Sequence, residues 1–197
     1  VELCLDASHL FGALKVRDRY QSWLDVHTQA SRRFHKDQHE LSYRAIKQYD
    51  IYPERREWER TEEDVDDSGT TLSETPRDEI GFIYYLRTLD LEVGEEYVLN
   101  DYFKEDGNPL VLKVLRKERK KVPAGTFDTV VVQPIIQTDG LFSEGGNAEL
   151  YFTDDRERHL VYMRSEIPIV GSITLHLKEI RDPSLAGTVS GSGGDGR

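Results

Sequence analysis

Along most of the chain, apolar and polar residues alternate in short segments separated by turn residues. That period of two predicts antiparallel sheet. Leu3 and Leu5 open one such segment and Val16 to Asp25 forms the next. Ser31 to Gln38 and Tyr43 to Tyr52 follow, the latter alternating Tyr43, Ala45, Lys47, Tyr49 and Ile51. Glu54 to Glu79 is polar and acidic and reads as a loop. From Asp78 to Leu89 the alternation breaks. Ile80, Ile83, Tyr84 and Arg87 share one face at helical spacing, with Asp78 placed to cap the helix. Gly81 weakens that helix by up to about 1 kcal/mol. Glu96 to Phe103, the turn EDGNP, Leu110 to Val122, Phe127 to Thr138, Ala148 to Thr153, Arg158 to Ile167 and Val170 to Ile180 complete a meander. In the last segment Ile173, Leu175 and Leu177 point one way and Thr174, His176 and Lys178 the other, giving one core face and one wet face. The expected fold is mainly β: a strongly bent antiparallel sheet, a half-barrel or β-spiral-like meander, with one short helix near residues 78–89 against its concave face.

Length and charge narrow the picture. A chain of 197 residues fits one domain, and at that size roughly 70% of the unfolded surface can be buried. Residues 1–182 read as that β-rich domain and 183–197, rich in Gly and Ser, as a flexible tail. The net charge of -11 argues against general affinity for nucleic acid, which needs a basic face, and against docking on anionic lipid. No segment approaches the ~20 consecutive apolar residues of a membrane span. The single cysteine, Cys4, excludes an internal disulfide and a cysteine-based metal cluster. The chain opens at Val1 without a Met or the regions of a signal peptide, which points to a processed or trimmed start.

Candidate chemistry is sparse. In HTQASRRFHKDQHE, the side chains of His35, Asp37 and His39 fall on one face of a strand and could converge on zinc, with His27 from a neighbouring strand. The alternative is a solvated edge face. Asp64, Asp66, Ser68 and Gly69 match the early positions of a calcium loop, but the twelfth place holds Thr75 rather than Glu. RKERKK (Arg116 to Lys121) is the one strong basic patch, and it lacks interleaved aromatic residues for base stacking. No nucleophile elbow or Cys/His pair is present, so no catalytic residue and no cofactor is assigned. Aromatic residues are more suggestive: Trp23, Tyr84, Tyr85, Phe142 and Tyr151 form either core or the lining of a groove for an apolar ligand.

Several phrases occur in order: DRYQSWLD (Asp18 to Asp25), IYYLRTLDLEVG (Ile83 to Gly94), VPAGTF (Val122 to Phe127), GLF (Gly140 to Phe142), and DDRER leading into VGSITLHL. Together they resemble the bacterial DUF3108 family over about Val1 to Lys178. The resemblance implies an exported, envelope-associated, periplasmic protein with a strongly bent antiparallel sheet, and it brings no activity, cofactor or catalytic residue. Family members carry further strands ahead of the segment matching Val1 to Ala7, so the resemblance implies strands that are absent here or supplied by a partner. The expected function is non-enzymatic binding or scaffolding in the cell envelope, holding an apolar ligand or protein segment on the curved sheet. The alternatives are an accessory subunit docking by a sheet edge and a metal-dependent hydrolase using His35, Asp37 and His39.

Overall fold

The computed structural model of the protein describes residues 1–9, 14–40, 43–62, 65–136, 148–167 and 171–180. The alternating segments form strands, but they divide into two antiparallel sheets rather than one. The first sheet is a meander of β1 (Glu2–His9), β2 (Leu14–Leu24), β3 (Ser31–Glu40), β4 (Tyr43–Tyr52), β5 (Glu57–Glu62) and β6 (Val65–Thr70), ordered as in sequence. Helix α1 (Glu79–Leu86) follows. The second sheet is a meander of β7 (Glu96–Leu99), β8 (Leu110–Val122), β9 (Gly125–Ile135), β10 (Glu149–Thr153), β11 (Leu160–Ile167) and β12 (Gly171–His176).

One core joins the two sheets and the helix. The first sheet contributes Tyr20, Phe34, Tyr49, Ile51 and Trp58, the helix Ile80, Phe82, Ile83 and Leu86, and the second sheet Leu112, Val130, Val132, Leu150, Phe152 and Met163. Phe103, in the connection between β7 and β8, packs edge-on to Phe34, Tyr49 and Trp58 at centroid distances of 6.3, 5.2 and 6.0 Å. Edge-to-face packing of this kind adds about 0.5–1.5 kcal/mol per pair beyond area burial.

The region from Glu54 to Glu79 corrects the expectation of a loop, because it contains β5 and β6. These strands are polar because most of their side chains face water. Of the β5 side chains described, Trp58 alone is fully buried, and Gly69, opposite it in β6, leaves room for the indole. A Cβ at Gly69 would sit 2.7 Å from the Trp58 ring. The calcium-loop reading meets the same correction. Asp66, Ser68 and Gly69 lie in the extended backbone of β6 rather than in a tight loop that could wrap an ion, while Asp64 falls outside the described residues.

The second sheet departs from a one-wet-face pattern. The register of β8 shifts between Val114 and Arg116, and a bulge of this kind switches the face that alternate residues occupy. Leu110, Leu112 and Val114 face the main core, whereas Val122 joins Val131, Tyr151 and Val161 in a second apolar cluster. Leu177 belongs to that second cluster and Leu175 packs on the main core, so the expectation that both point one way fails. The strand ends at His176, and Leu177 crosses over to accept from Ala124 at 3.0 Å and donate to Val161 at 2.9 Å.

Candidate functional site

Helix α1 is held at its start by a buried charged tripeptide, Arg77-Asp78-Glu79. Asp78 is the N-cap, as its place in the sequence predicts: one carboxylate oxygen accepts from the amides of Ile80 (2.9 Å) and Gly81 (2.8 Å). The other accepts from the Ser22 hydroxyl of β2 at 2.6 Å, and the Asp78 amide donates to the Ser31 hydroxyl of β3 at 2.9 Å. Asp78 is completely buried, and that burial raises its pKa against the opposing pull of these donors. Glu79 pairs with Lys36 of β3, whose ammonium also lies 5.0 Å from the Phe34 ring. Arg77 pairs with Asp101 and stacks 3.7 Å over the Tyr85 ring. Each buried charge thus faces an opposite charge or donors, the condition for tolerating it.

Gly81 completes the contact. A Cβ there would lie 2.9 Å from both Leu24 Cδ2 and Ser31 Oγ, so the helix approaches β2 and β3 more closely than a side chain permits. The inward side of the helix is therefore sealed. Its outward side carries Tyr84, 39% exposed, which faces an open depression of about 620 Å³. Trp23 of β2 (47% exposed) and Val26 of the following turn (86% exposed) line the same depression, together with Leu24, Gln21 and Gln29. Here an indole, a phenol and an isopropyl group stay in water beside an otherwise closed core. Val1, Glu2, Ser22 and Asp25 also line it, so the depression sets two aromatic faces and apolar area among polar and charged groups.

Among the aromatic residues picked from sequence, the structure brings Trp23 and Tyr84 together. Tyr85 sits under Arg77, beside the helix start. Tyr151 lies on the outer face of the second sheet, buried within its own network, and Phe142 falls outside the described residues. Around Tyr151, Arg116 donates to both oxygens of Glu149 (2.8 and 3.0 Å), to Glu118 (2.7 Å) and to the Tyr151 hydroxyl (3.0 Å). Tyr151 donates in turn to Glu149 at 2.8 Å. Arg116 holds the Glu149 carboxyl below its usual range, and burial with the adjacent carboxylate raises the Tyr151 phenol. Lys120 lies 3.6 Å from the Tyr162 ring centroid. The basic run is thus spent within its own sheet: Lys117 pairs with Asp154 at 2.8 Å and Arg119 with Asp128 at 3.2 Å.

The histidine cluster does not assemble. His39 and Asp37 meet at 2.9 Å on the outer face of β3, while His35 lies further along, in register with Gln21 and Gln48. His27 sits in the turn after β2. Same-face positions along a strand are about 6–7 Å apart at the backbone, so Asp37 and His39 can meet while His35 and His39 start roughly 13 Å apart. Among the described residues no three His, Cys, Asp or Glu side chains are placed to hold a metal.

Sequence reasoning missed Val26 and the Ser22–Asp78 and Lys36–Glu79 contacts. Val26 follows the strand and breaks its alternation, which is a faint signal of exposure. The contacts join residues 56 and 43 apart in sequence, and nothing local marks them.

No helix among the described residues is long and apolar enough to cross a membrane. No curated protein and no solved structure shows significant similarity to the chain. The family model of DUF3108, described as a protein of unknown function, matches residues 6–178, and this chain belongs to that family.

Proposed function

We propose that this chain is a non-enzymatic binding or scaffolding protein of the bacterial cell envelope. It holds an apolar ligand or protein segment in the depression beside α1, at the rim of a strongly bent sheet. The observation that carries this reading is the grouping of exposed Trp23, Val26 and Tyr84 around one open depression next to a fully sealed helix face. Burying aromatic and branched side chains of this size contributes about 1.5–3 kcal/mol each, so these three contacts supply part of a micromolar affinity and other groups of the ligand must supply the rest once the cost of association is met. The envelope location draws its support from what the family resemblance implies. Native purification followed by mass spectrometry tests the binding. A compound or peptide that co-purifies with the protein and is lost from Trp23→Ala supports the reading. Equal retention by the variant moves the site elsewhere, and nothing bound to either protein removes it. Fractionation of cells expressing the untagged protein checks the location, and recovery wholly in the cytoplasm contradicts it.

The second reading, an accessory subunit docking by a sheet edge, draws on the topology. Both sheets are open meanders with β1 and β6, and β7 and β12, at their edges, and open edges offer main-chain pairing to another chain. A monomer at all concentrations with no partner recovered by cross-linking counts against it.

A further inference from the structure

The turn that joins β10 to β11 is held by its own side chains. The Asp155 carboxylate accepts from the Thr153 hydroxyl at 2.7 Å and from the Arg158 amide at 3.0 Å, the local closure that Asp supplies in turns. Arg158 pairs with Asp154. Arg156, on the same turn, is exposed and makes no ion pair among the described residues. The end of α1 meets this turn. Arg87, the C-cap of the helix, donates through Nε and Nη2 to the Glu157 carbonyl at 3.1 and 2.7 Å. Its guanidinium lies 5.1 Å from the Tyr84 ring centroid. An open depression of about 330 Å³ lies between the two elements, lined by Gln29, Tyr84, Arg87, Thr88, Arg156 and Glu157.

Charge sets this depression apart. The chain has 37 acidic and 26 basic residues, and most of its described arginines face a carboxylate, as Arg33 faces Asp50 and Arg77 faces Asp101. Arg87 and Arg156 line one depression, and neither pairs with a carboxylate among the described residues, that of Glu157 included. Two guanidiniums against the one Glu157 carboxylate leave a single positive charge uncompensated. The Gln29 side-chain amide is also without a hydrogen bond among the described residues. A guanidinium presents a planar fork of donors that matches both oxygens of a carboxylate, whereas a dianion such as phosphate would exceed the charge available and meet Glu157. The Tyr84 ring, 39% exposed, supplies an aromatic face beside these donors. We propose that this depression binds a monoanionic carboxylate with an apolar body. The carboxylate takes the Arg156 fork and Nη1 of Arg87, and the body lies on Tyr84. The inference goes beyond the binding reading above: it is a second site, which adjoins the larger depression through Gln29 and Tyr84 but is carried by Arg87 and Arg156.

The test titrates the full chain with octanoate, 1-octanol, acetate and inorganic phosphate at low salt. NMR follows the arginine Nε–H, the Gln29 side-chain amide, the Tyr84 ring and the Trp23 indole. Octanoate moves Arg87, Arg156, Gln29 and Tyr84 together at millimolar concentration or below. Octanol and acetate bind about tenfold more weakly, and phosphate binds no better than acetate. Arg156→Gln weakens octanoate about tenfold, equivalent to about 1.4 kcal/mol, and leaves octanol unchanged. Arg156→Lys restores part of the loss, since an ammonium keeps the charge without the fork. Overturning results are no response to millimolar octanoate, equal binding of octanoate and octanol, tighter binding of phosphate, or octanoate binding indifferent to Arg156→Gln. If octanoate moves Trp23 and none of Arg87, Arg156 and Gln29, this inference alone falls. If it moves those three and no ligand reaches Trp23, the binding reading above falls and the carboxylate site stands.

Discussion

Ile46 of β4 lies on the outer face of the first sheet and is 58% exposed, whereas Val131 of β9, on the outer face of the second, is wholly buried. Both sheets are six-stranded antiparallel meanders sharing one core, so topology does not separate them. The difference lies in what covers the second face. On the first sheet that face carries Arg19, Arg33 and Asp37, with ion pairs such as Arg33–Asp50 at 2.6 Å open to water. On the second, the β8 bulge brings Arg116 to the face of Tyr151, and Leu177 folds across to cover Val161. A strand's wet side is thus decided by neighbours as well as by alternation, and the exposed aromatic residues of the depression stand out because the first sheet and helix leave them uncovered.

The largest effect that tests this contrast is Val131→Asp against Ile46→Asp. The first buries an unpaired carboxylate and is expected to cost about 4 kcal/mol or more, while the second stays within about 0.5 kcal/mol. Urea unfolding measures both, and similar losses would erase the distinction between the faces. Asp78→Ala comes next. It removes the cap and strands buried donors, for an expected loss of about 2–3 kcal/mol. Because the Asp78 contacts reach β2 and β3 alone, hydrogen exchange should rise in α1 and the first sheet before the second. Gly69→Ala forces a methyl group against Trp58 and is expected to cost about 1–2 kcal/mol by overpacking, read as a loss of thermal midpoint with a shift in Trp58 emission.

Acid titration gives a smaller and more local comparison. Glu149 is held below the ordinary value of 4.5 by Arg116. Its contribution is present above that value and is lost as pH falls through the lowered one. Tyr151 has the opposite sign: its raised phenol stabilises below 10 and the effect is lost only as pH climbs through the raised value. Arg116→Met should therefore flatten the stability profile below pH 4.5, measured by urea midpoints across pH. Arg19→Met, whose partner Glu2 is exposed, should change it less. Smallest of all for stability is Trp23→Ala, expected to shift it by under about 0.5 kcal/mol while abolishing the emission response to a bound ligand.

Much of the fold was legible because it rests on local rules. Asp78 was readable as a cap, since its side chain has only to reach two or three residues ahead, and Ile80 and Ile83 do face the core. β5 and β6 were not readable. Trp58 is the single buried anchor of β5 among its described side chains, and the rest of the segment follows the composition of a solvated edge. The division into two sheets also has no local mark, because a meander looks the same whether one sheet or two receives it. In the depression, Trp23 and Tyr84 were identifiable as aromatic residues, but their meeting depends on how α1 docks across β2. The spread of His35, Asp37 and His39 followed from strand spacing, and only the neighbouring residues in register showed that no third ligand completes it.

The glycine at the close approach of α1 has a consequence for the order of folding. Eight residues make too short a helix to persist alone in water, and Gly81 lowers its intrinsic stability further. Two of the groups that hold its first turn, Ser22 and Ser31, come from different strands. The helix therefore has no independent existence before β2 and β3 have paired. Gly81→Ala would raise helicity in an isolated peptide and yet disfavour the docked state in the protein, because the added methyl meets Leu24 and Ser31. Local propensity and tertiary fit pull against each other at this one position, and α1 should appear only after the β2–β3 hairpin is in place.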